Sequence, residues 1–158
     1  MESYPNHPLE YVHTTIIHEF SKTLELFGFT PADSRLFSSL YLHGKPMTLD
    51  ELSDSLGKSK TSISTGVRSL TDQGLVERVW KKGIRKDHYQ ANEQLFNKFM
   101  QAFIKRWIDS STAQAQALKE IKRSHISPSD DMLCDRLNRI IEFHNQITDS
   151  FEKISNGR

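Results

Sequence analysis

Basic and hydroxyl-bearing side chains are concentrated in one stretch of this chain, and their shared chemistry is phosphate binding. Between Lys58 and Tyr89 there are eight lysine or arginine residues and three acidic residues, which gives a net charge of +5 in 32 residues. The whole chain of 158 residues carries a formal net charge of only +1 at pH 7, so the remainder is net acidic. This asymmetry is expected when one face of a protein meets a polyanion and the other faces do not.

The first group of these residues lies on one face of a predicted helix. It combines short hydroxyls with two cations, all suited to the walls of a DNA groove: Ser59, Lys60, Thr61, Ser62, Thr65, Arg68 and Ser69. The opposite face carries Ile63, Val67 and Leu70 at helical spacing, which predicts that it packs on a core. Gly66 in mid-helix costs about 1 kcal/mol relative to alanine, so its backbone should closely approach DNA or a neighbouring helix.

The second group lies at the tip of a predicted β-hairpin, where Gly83 permits a tight turn. Its members are four cations: Lys81, Lys82, Arg85 and Lys86. Cations on such a loop suit the phosphates that flank a minor groove. The strands on either side are predicted at residues 75–80 and 88–91.

The sequence before this segment predicts three further helices. Apolar residues at spacings of three and four predict a first helix over residues 9–26. Thr30 should cap a second helix, with a proline at its first position. Thr48 begins a T-x-x-E capping box for the third helix, and Ser59 should cap the fourth, the one that carries the groove-facing residues.

In the C-terminal part of the chain, the residue pattern predicts two long helices. The first covers residues 92–125 and the second is capped by Ser127. Polar and apolar residues of the last helix form a heptad seam: Leu133, Leu137, Ile140, His144, Ile147, Phe151 and Ile154. The seam needs a partner, which could be the long helix, the first helix or a second copy of the chain. We favour the second copy, because helices that read DNA in this way usually work in pairs on two half-sites.

We therefore expect a mainly α fold: a winged helix-turn-helix with a small β-hairpin wing, plus long N- and C-terminal dimerisation helices. The predicted domains are an N-terminal dimerisation helix (1–29), a winged helix-turn-helix DNA-binding domain (30–91) and a C-terminal helical region (92–158). The last region should serve dimerisation and could hold an effector.

The segment from Lys45 to Tyr89, with its runs SKTSISTGVRSL and VWKKGIRKDHY, resembles the winged-helix core of the GbsR family, a branch of MarR-like repressors. The resemblance implies a dimeric transcriptional repressor bound to double-stranded operator DNA. It also implies control of genes for glycine betaine synthesis or for uptake of choline and betaine, with choline or glycine betaine as effector. By this likeness the first group of residues lies on the recognition helix and the second on the wing.

A quaternary-ammonium effector would be held by aromatic faces, since its cationic head cannot donate a hydrogen bond. Five aromatic residues are candidates for such a cage: Phe37, Tyr41, Phe99, Phe103 and Trp107. Tyr41 and Trp107 are preferred because their polar atoms suit a pocket lining. For any single one of these residues, ordinary core packing is the simpler role.

Other function classes find little support. The sequence has no Gly-rich phosphate loop, no paired metal-ligand motif and no nucleophile motif, so we expect neither an enzyme nor a cofactor or metal site. No run of 18 apolar residues occurs and the N-terminus MESYPNHPLEY lacks signal-peptide features, so we expect a cytoplasmic protein without a membrane partner. The alternative is a winged helix used as a protein-interaction module without a small-molecule effector. The cations on the wing argue against that alternative, because a protein-binding wing need not concentrate positive charge.

Overall fold

The computed structural model describes residues 8–157, and in that range the chain is mainly helical with one two-stranded antiparallel sheet, as expected. The elements in chain order are α1 (Leu9–Leu26), α2 (Pro31–His43), α3 (Leu49–Leu56), α4 (Lys60–Asp72), β1 (Val76–Val79), β2 (His88–Ala91), α5 (Leu95–His125) and α6 (Asp131–Asn156). They form two compact units, one ending at Phe99 and the other beginning at Met100. None of the helices in the described range is long and apolar enough to cross a membrane.

The helix starts of the first unit are set by hydroxyl caps at the predicted positions. Thr30, Thr48 and Ser59 each accept a hydrogen bond from the backbone amide three residues later, at 3.1 Å in every case. Each bond satisfies one of the backbone donors that a helix start leaves free. Between α3 and α4, Gly57 adopts a left-handed conformation (φ 63°), which turns the chain sharply into the next helix.

Helix α2 lies at the centre of the first unit, packed against α1, α3, α4 and β2. Its Phe37 is 1% exposed and meets Phe99 edge to face, with ring centroids 4.9 Å apart. Leu52 of α3 and Leu70 of α4 are fully buried in the same core. This core fixes α3 and α4 relative to α2, which is what a helix-turn-helix needs in order to present one helix to a ligand.

The hairpin is joined to the helices through a short bridge. Strand β1 pairs with β2 in the register Val76 with Ala91 and Val79 with His88. Met47, just before α3, exchanges two backbone hydrogen bonds of 2.8 Å with Tyr89 of β2. The base of the wing is therefore attached to the start of the helix-turn-helix.

Two predicted helix starts are corrected. Helix α5 begins at Leu95 rather than Asn92, because the Asn92 amide donates to the Leu75 carbonyl (2.8 Å) and continues the strand pairing. The cap of α6 is Asp130 rather than Ser127. Ser127 closes a turn by accepting a bond from the Asp130 amide (3.0 Å), and an Asp130 carboxylate oxygen then accepts from the third amide of the helix.

The second unit is held together by aromatic and polar contacts between α5 and α6. Trp107 stacks on Phe151 at 5.5 Å with the rings nearly parallel, and Phe103 meets Phe151 edge to face at 5.8 Å. The hydroxyls of Ser111 and Thr148 lie 2.6 Å apart. These contacts join two long helices along one side of each.

The predicted heptad seam matches only part of what α6 buries within this unit. Leu137 is buried, but Leu133, Ile140 and Ile154 are each about half exposed. Ile141, which lies outside the predicted seam, is buried instead. One apolar side of α6 is therefore only partly covered within this unit.

Candidate nucleic-acid interface

Helix α4 separates a buried face from an exposed polar face. Ile63, Val67 and Leu70 are almost completely buried against the rest of the first unit. Six of the seven residues predicted to face a groove are exposed on the other side: Ser59, Lys60, Thr61, Ser62, Thr65 and Arg68. Because the apolar stripe anchors the helix, the polar stripe is held in a fixed direction.

Ser69 is the member of that group that the structure places differently. It is half-buried, its hydroxyl donates a hydrogen bond to Asp33 of α2, and the Gln73 side-chain amide lies 3.3 Å from the same hydroxyl. The contact with Asp33 connects Ser69 to α2, whereas Gln73 caps the end of α4 itself. Its participation in DNA binding stays a prediction.

The wing brings four exposed cations together at a hairpin tip. Gly83 has φ 81°, a left-handed conformation that other residues rarely adopt, and the Ile84 amide donates to the Lys81 carbonyl at 3.2 Å. The cations Lys81, Lys82, Arg85 and Lys86 are all exposed. At the base, Arg78 and Asp87 form an ion pair of 3.6 Å between the two arms of the hairpin.

Trp80 is a surface feature that sequence reasoning assigned to a strand. The strand ends at Val79, and the Trp80 side chain is 79% exposed at the start of the basic loop. A single exposed apolar side chain is ordinary on a protein surface, but this indole adjoins the cations Lys81 and Lys82 and so belongs to the same candidate surface. In the sequence, the position of this tryptophan directly before Lys81 and Lys82 could have indicated that it belongs to the basic loop.

Asp50 is an acidic member of this surface that sequence reasoning missed. Its carboxylate lies 3.2 Å from the Lys60 Nζ and 2.9 Å from the Lys86 Nζ, and so joins α3, α4 and the wing. Hydrogen bonds from Lys86 and Lys60 hold the pKa of the Asp50 carboxyl below its usual value, and the pair raises the pKa of Lys86. These partners are 10 and 36 residues away in sequence, so no local pattern could indicate them.

The five aromatic residues predicted to form an effector cage are divided between the two units. In the first unit, Phe37 and Phe99 are buried in the core, and the partly exposed Tyr41 stacks on Phe37 at 6.2 Å. In the second unit, Phe103 and Trp107 pack on Phe151. Trp107 remains 41% exposed, so it combines a large aromatic surface with access from solvent.

A groove of about 820 Å³ runs along α1 and α2 of the first unit, and none of the five aromatic residues lines it. Its walls include His13, His18 and Lys22 of α1, with Arg35 and His43 of α2. The groove is open and its lining mixes charged side chains with aliphatic ones, which differs from the enclosed aromatic setting that holds a quaternary ammonium.

Comparison with known proteins agrees with this geometry. The model of the MarR family matches residues 27–79, which include α2, α3, α4 and β1. The HTH-type transcriptional regulator YvaV of Bacillus subtilis (strain 168) is 31% identical over 133 residues, covering 84% of this chain and 75% of its own. The HTH-type transcriptional repressor GbsR of the same organism is 28% identical over 144 residues, covering 90% of this chain and 79% of its own.

Among solved structures, the fold is similar to that of a transcriptional regulator with which it shares 18% sequence identity. The superposition has a TM-score of 0.60 and covers 91% of this chain and 98% of that one. The likeness supports the winged-helix architecture. The family match and the relatives above show that the chain belongs to the MarR family of winged-helix transcriptional regulators, as a GbsR-like member.

Proposed function

We propose that this regulator represses transcription by placing α4 in the major groove of an operator while the wing contacts flanking phosphates. The observation that carries the proposal is the two-faced character of α4: an apolar stripe buried in the core and an exposed stripe of hydroxyls and cations. The N-terminal residues of such a helix meet base edges, and its free amides attract phosphate. Four exposed cations on the wing add the sequence-independent part of the affinity.

The regulator acts as a homodimer in this proposal. Large apolar side chains are exposed on α6, among them Met132 (78%) and Phe143 (58%), and Leu9 is exposed on α1. A second copy would cover these surfaces and supply a second recognition helix. Two such helices read successive major grooves that are about 34 Å apart along the duplex.

The effector in this proposal is a quaternary-ammonium compound, choline or glycine betaine, and the target genes serve glycine betaine synthesis or choline and betaine uptake. The resemblance of Lys45–Tyr89 to the GbsR family supports this choice. The exposed Trp107, stacked on Phe151 beside Phe103, supplies aromatic faces of the kind that attract such a cation. A ligand that prefers one arrangement of the dimer shifts the population towards it, which is how binding would control DNA affinity.

The test of DNA binding uses fluorescence anisotropy with a labelled fragment from upstream of the protein's own gene and a shuffled fragment of equal length. We expect tighter binding to the genuine fragment, and an affinity for both fragments that falls steeply as salt rises. Sedimentation of the same samples should show a dimer. A protein that bound neither fragment at low salt would instead favour the protein-interaction role.

The test of the effector repeats the titration with choline and with glycine betaine. Glycine, which lacks the three N-methyl groups of glycine betaine, is the control. Choline or glycine betaine should change operator affinity, glycine should not, and replacement of Trp107 by leucine should weaken the response. Operator binding that none of these compounds alters would support the repressor function and exclude the quaternary-ammonium effector.

As a member of a family of transcriptional regulators, the protein is not an enzyme.

A further inference from the structure

Asp50 places a negative charge on the surface that is otherwise built to meet phosphates. It lies in the first turn of α3, and each of its carboxylate oxygens serves a different lysine: Oδ1 pairs with Lys60 of α4 and Oδ2 with Lys86 of the wing. The side chains of all three residues are between 44% and 69% exposed. The cluster is therefore at the surface and open to an incoming ligand.

The arrangement matches the way two lysines hold a phosphate. A DNA phosphate shares one negative charge between two oxygens that can each accept from a separate ammonium group, and the Asp50 carboxylate does the same in the free protein. Because both lysines favour its charged form, this carboxylate stays ionised at neutral pH.

Fold stability does not explain this placement. Exposed ion pairs contribute little, since water and salt screen them and long side chains lose freedom when they pair. The same charge opposes a DNA backbone and occupies two of the cations that would bind it. Such a residue changes selectivity when its cost differs between two DNA sequences, because selectivity is a difference between affinities.

We propose that Asp50 is a specificity-determining residue whose carboxylate stands in for a DNA phosphate between Lys60 and Lys86 and so weakens binding to DNA of arbitrary sequence. The inference rests on the proposed DNA-binding function. On a non-operator duplex, phosphates must displace the carboxylate without the help of base contacts. On the operator, Lys60 of α4 turns from the carboxylate to a base edge while Lys86 stays paired with Asp50. The carboxylate therefore costs less on the operator than on a non-operator duplex, where phosphates take both lysines, and the ratio of specific to non-specific affinity rises.

The experiment compares the wild-type protein with the Asp50→Asn variant, which keeps the shape of the side chain and removes its charge. Anisotropy titrations use the upstream fragment and the shuffled fragment over a series of salt concentrations. We expect non-operator affinity to rise about three- to tenfold and the slope of log affinity against log salt to steepen by about one. Operator affinity should rise by less, so selectivity falls.

Two further variants make the test specific. Asp54→Asn removes the same charge one turn later on α3, where the side chain is exposed and is not the partner of either lysine. It should shift non-operator affinity less than Asp50→Asn does. In a background with both Lys60→Gln and Lys86→Gln, the Asp50→Asn change should lose most of its effect, because the two cations it releases are gone.

The possible outcomes distinguish failure of this inference from failure of the proposed DNA-binding function. Equal shifts in the Asp50 and Asp54 variants, or weaker binding by Asp50→Asn to both fragments, would overturn the inference while DNA binding stands. Weaker binding would mean that the carboxylate orients the lysines instead of competing for them. If wild-type protein bound neither fragment in a salt-dependent way, the proposed function would be overturned and the inference with it.

Discussion

Gly66 of α4 lies so close to Leu36 of α2 that a Cβ atom built on it would stand 2.8 Å from the Leu36 Cδ2 atom. A second neighbour, the Asp33 Oδ1 atom, would lie 3.1 Å away. The sequence left two explanations for a glycine in mid-helix, approach to DNA or approach to a neighbouring helix. The structure places Gly66 on the buried side of α4, so the contact with α2 accounts for it.

Replacement of Gly66 by alanine should destabilise the protein. Alanine gains about 1 kcal/mol in helix propensity, but overpacking a tight core contact costs about 1–3 kcal/mol. Leu36 is 3% exposed, so moving its side chain disturbs a packed contact, and we expect a net loss of about 1 kcal/mol. Urea unfolding of the wild-type protein and the variant measures the difference.

The matched control for this prediction trims the neighbour. In the double variant with Leu36→Val, the methyl group on residue 66 should cost less than it does alone, which gives a favourable coupling between the two positions. A Gly66→Ala protein that is as stable as the wild type would show that α2 and α4 can separate without loss.

Removal of one wing cation should weaken binding to every DNA sequence alike. Arg85 is exposed at the tip of the hairpin, where it meets backbone phosphates in the proposed complex. The Arg85→Gln variant should flatten the slope of log affinity against log salt by about one, with equal losses on operator and non-operator duplexes. Lys119→Gln, an exposed cation of α5 in the other unit, is the control and should leave the slope unchanged. A loss confined to the operator would assign Arg85 to base recognition.

Local patterns predicted much of the fold, because the signals that set helix ends and turns lie within a few residues. Thr30 and Ser59 cap the predicted helices, and Gly83 makes the predicted turn. The exposed face of α4 follows from its 3.6-residue period. Asp50, by contrast, acquires its lysine partners only when α3, α4 and the wing come together, so its position in the candidate site could not be predicted from spacing.

The effector cage illustrates the same limit. Aromatic composition identified Phe37 and Trp107 as candidates, but composition does not distinguish a core side chain from one that lines a pocket. In the structure Phe37 is buried on the core side of α2, whereas Trp107 is partly exposed on α5. Tertiary packing decided which of the two a ligand could reach.

Asp33 and Asp50 should make the free energy of unfolding change with pH in opposite directions. Burial raises the pKa of Asp33 above its usual value of 3.8, against a smaller opposing effect of the hydrogen bond from Ser69. The folded protein therefore holds this proton more tightly than the unfolded chain does, and stability falls as pH rises through the window just above 3.8. Relative to the wild type, Asp33→Asn should be more stable at pH 7, with a difference that shrinks as pH falls through that window.

Asp50→Asn provides the control of opposite sign. The pKa of Asp50 is lowered by Lys86 and Lys60, so its contribution to stability, which is small because these ion pairs are exposed, is present at neutral pH and is lost as pH falls below about 3.8. Thermal unfolding of both variants across the acid range should show the two differences changing in opposite directions. Parallel changes would contradict the assignment of burial as the dominant influence on Asp33.

Trp80 should report DNA binding directly through its fluorescence. The chain has two tryptophans, and Trp107 lies in the other unit stacked on Phe151, so Trp107→Phe leaves Trp80 as the sole tryptophan, which can be excited apart from the tyrosines. Because Trp80 is 79% exposed beside Lys81 and Lys82, a duplex seated on the wing should remove water from the indole. We expect its emission to shift to shorter wavelength and to be quenched in step with the anisotropy titration. The converse variant, Trp80→Phe, should show a much smaller change, and an unaltered Trp80 signal at saturating operator would place the wing away from the DNA.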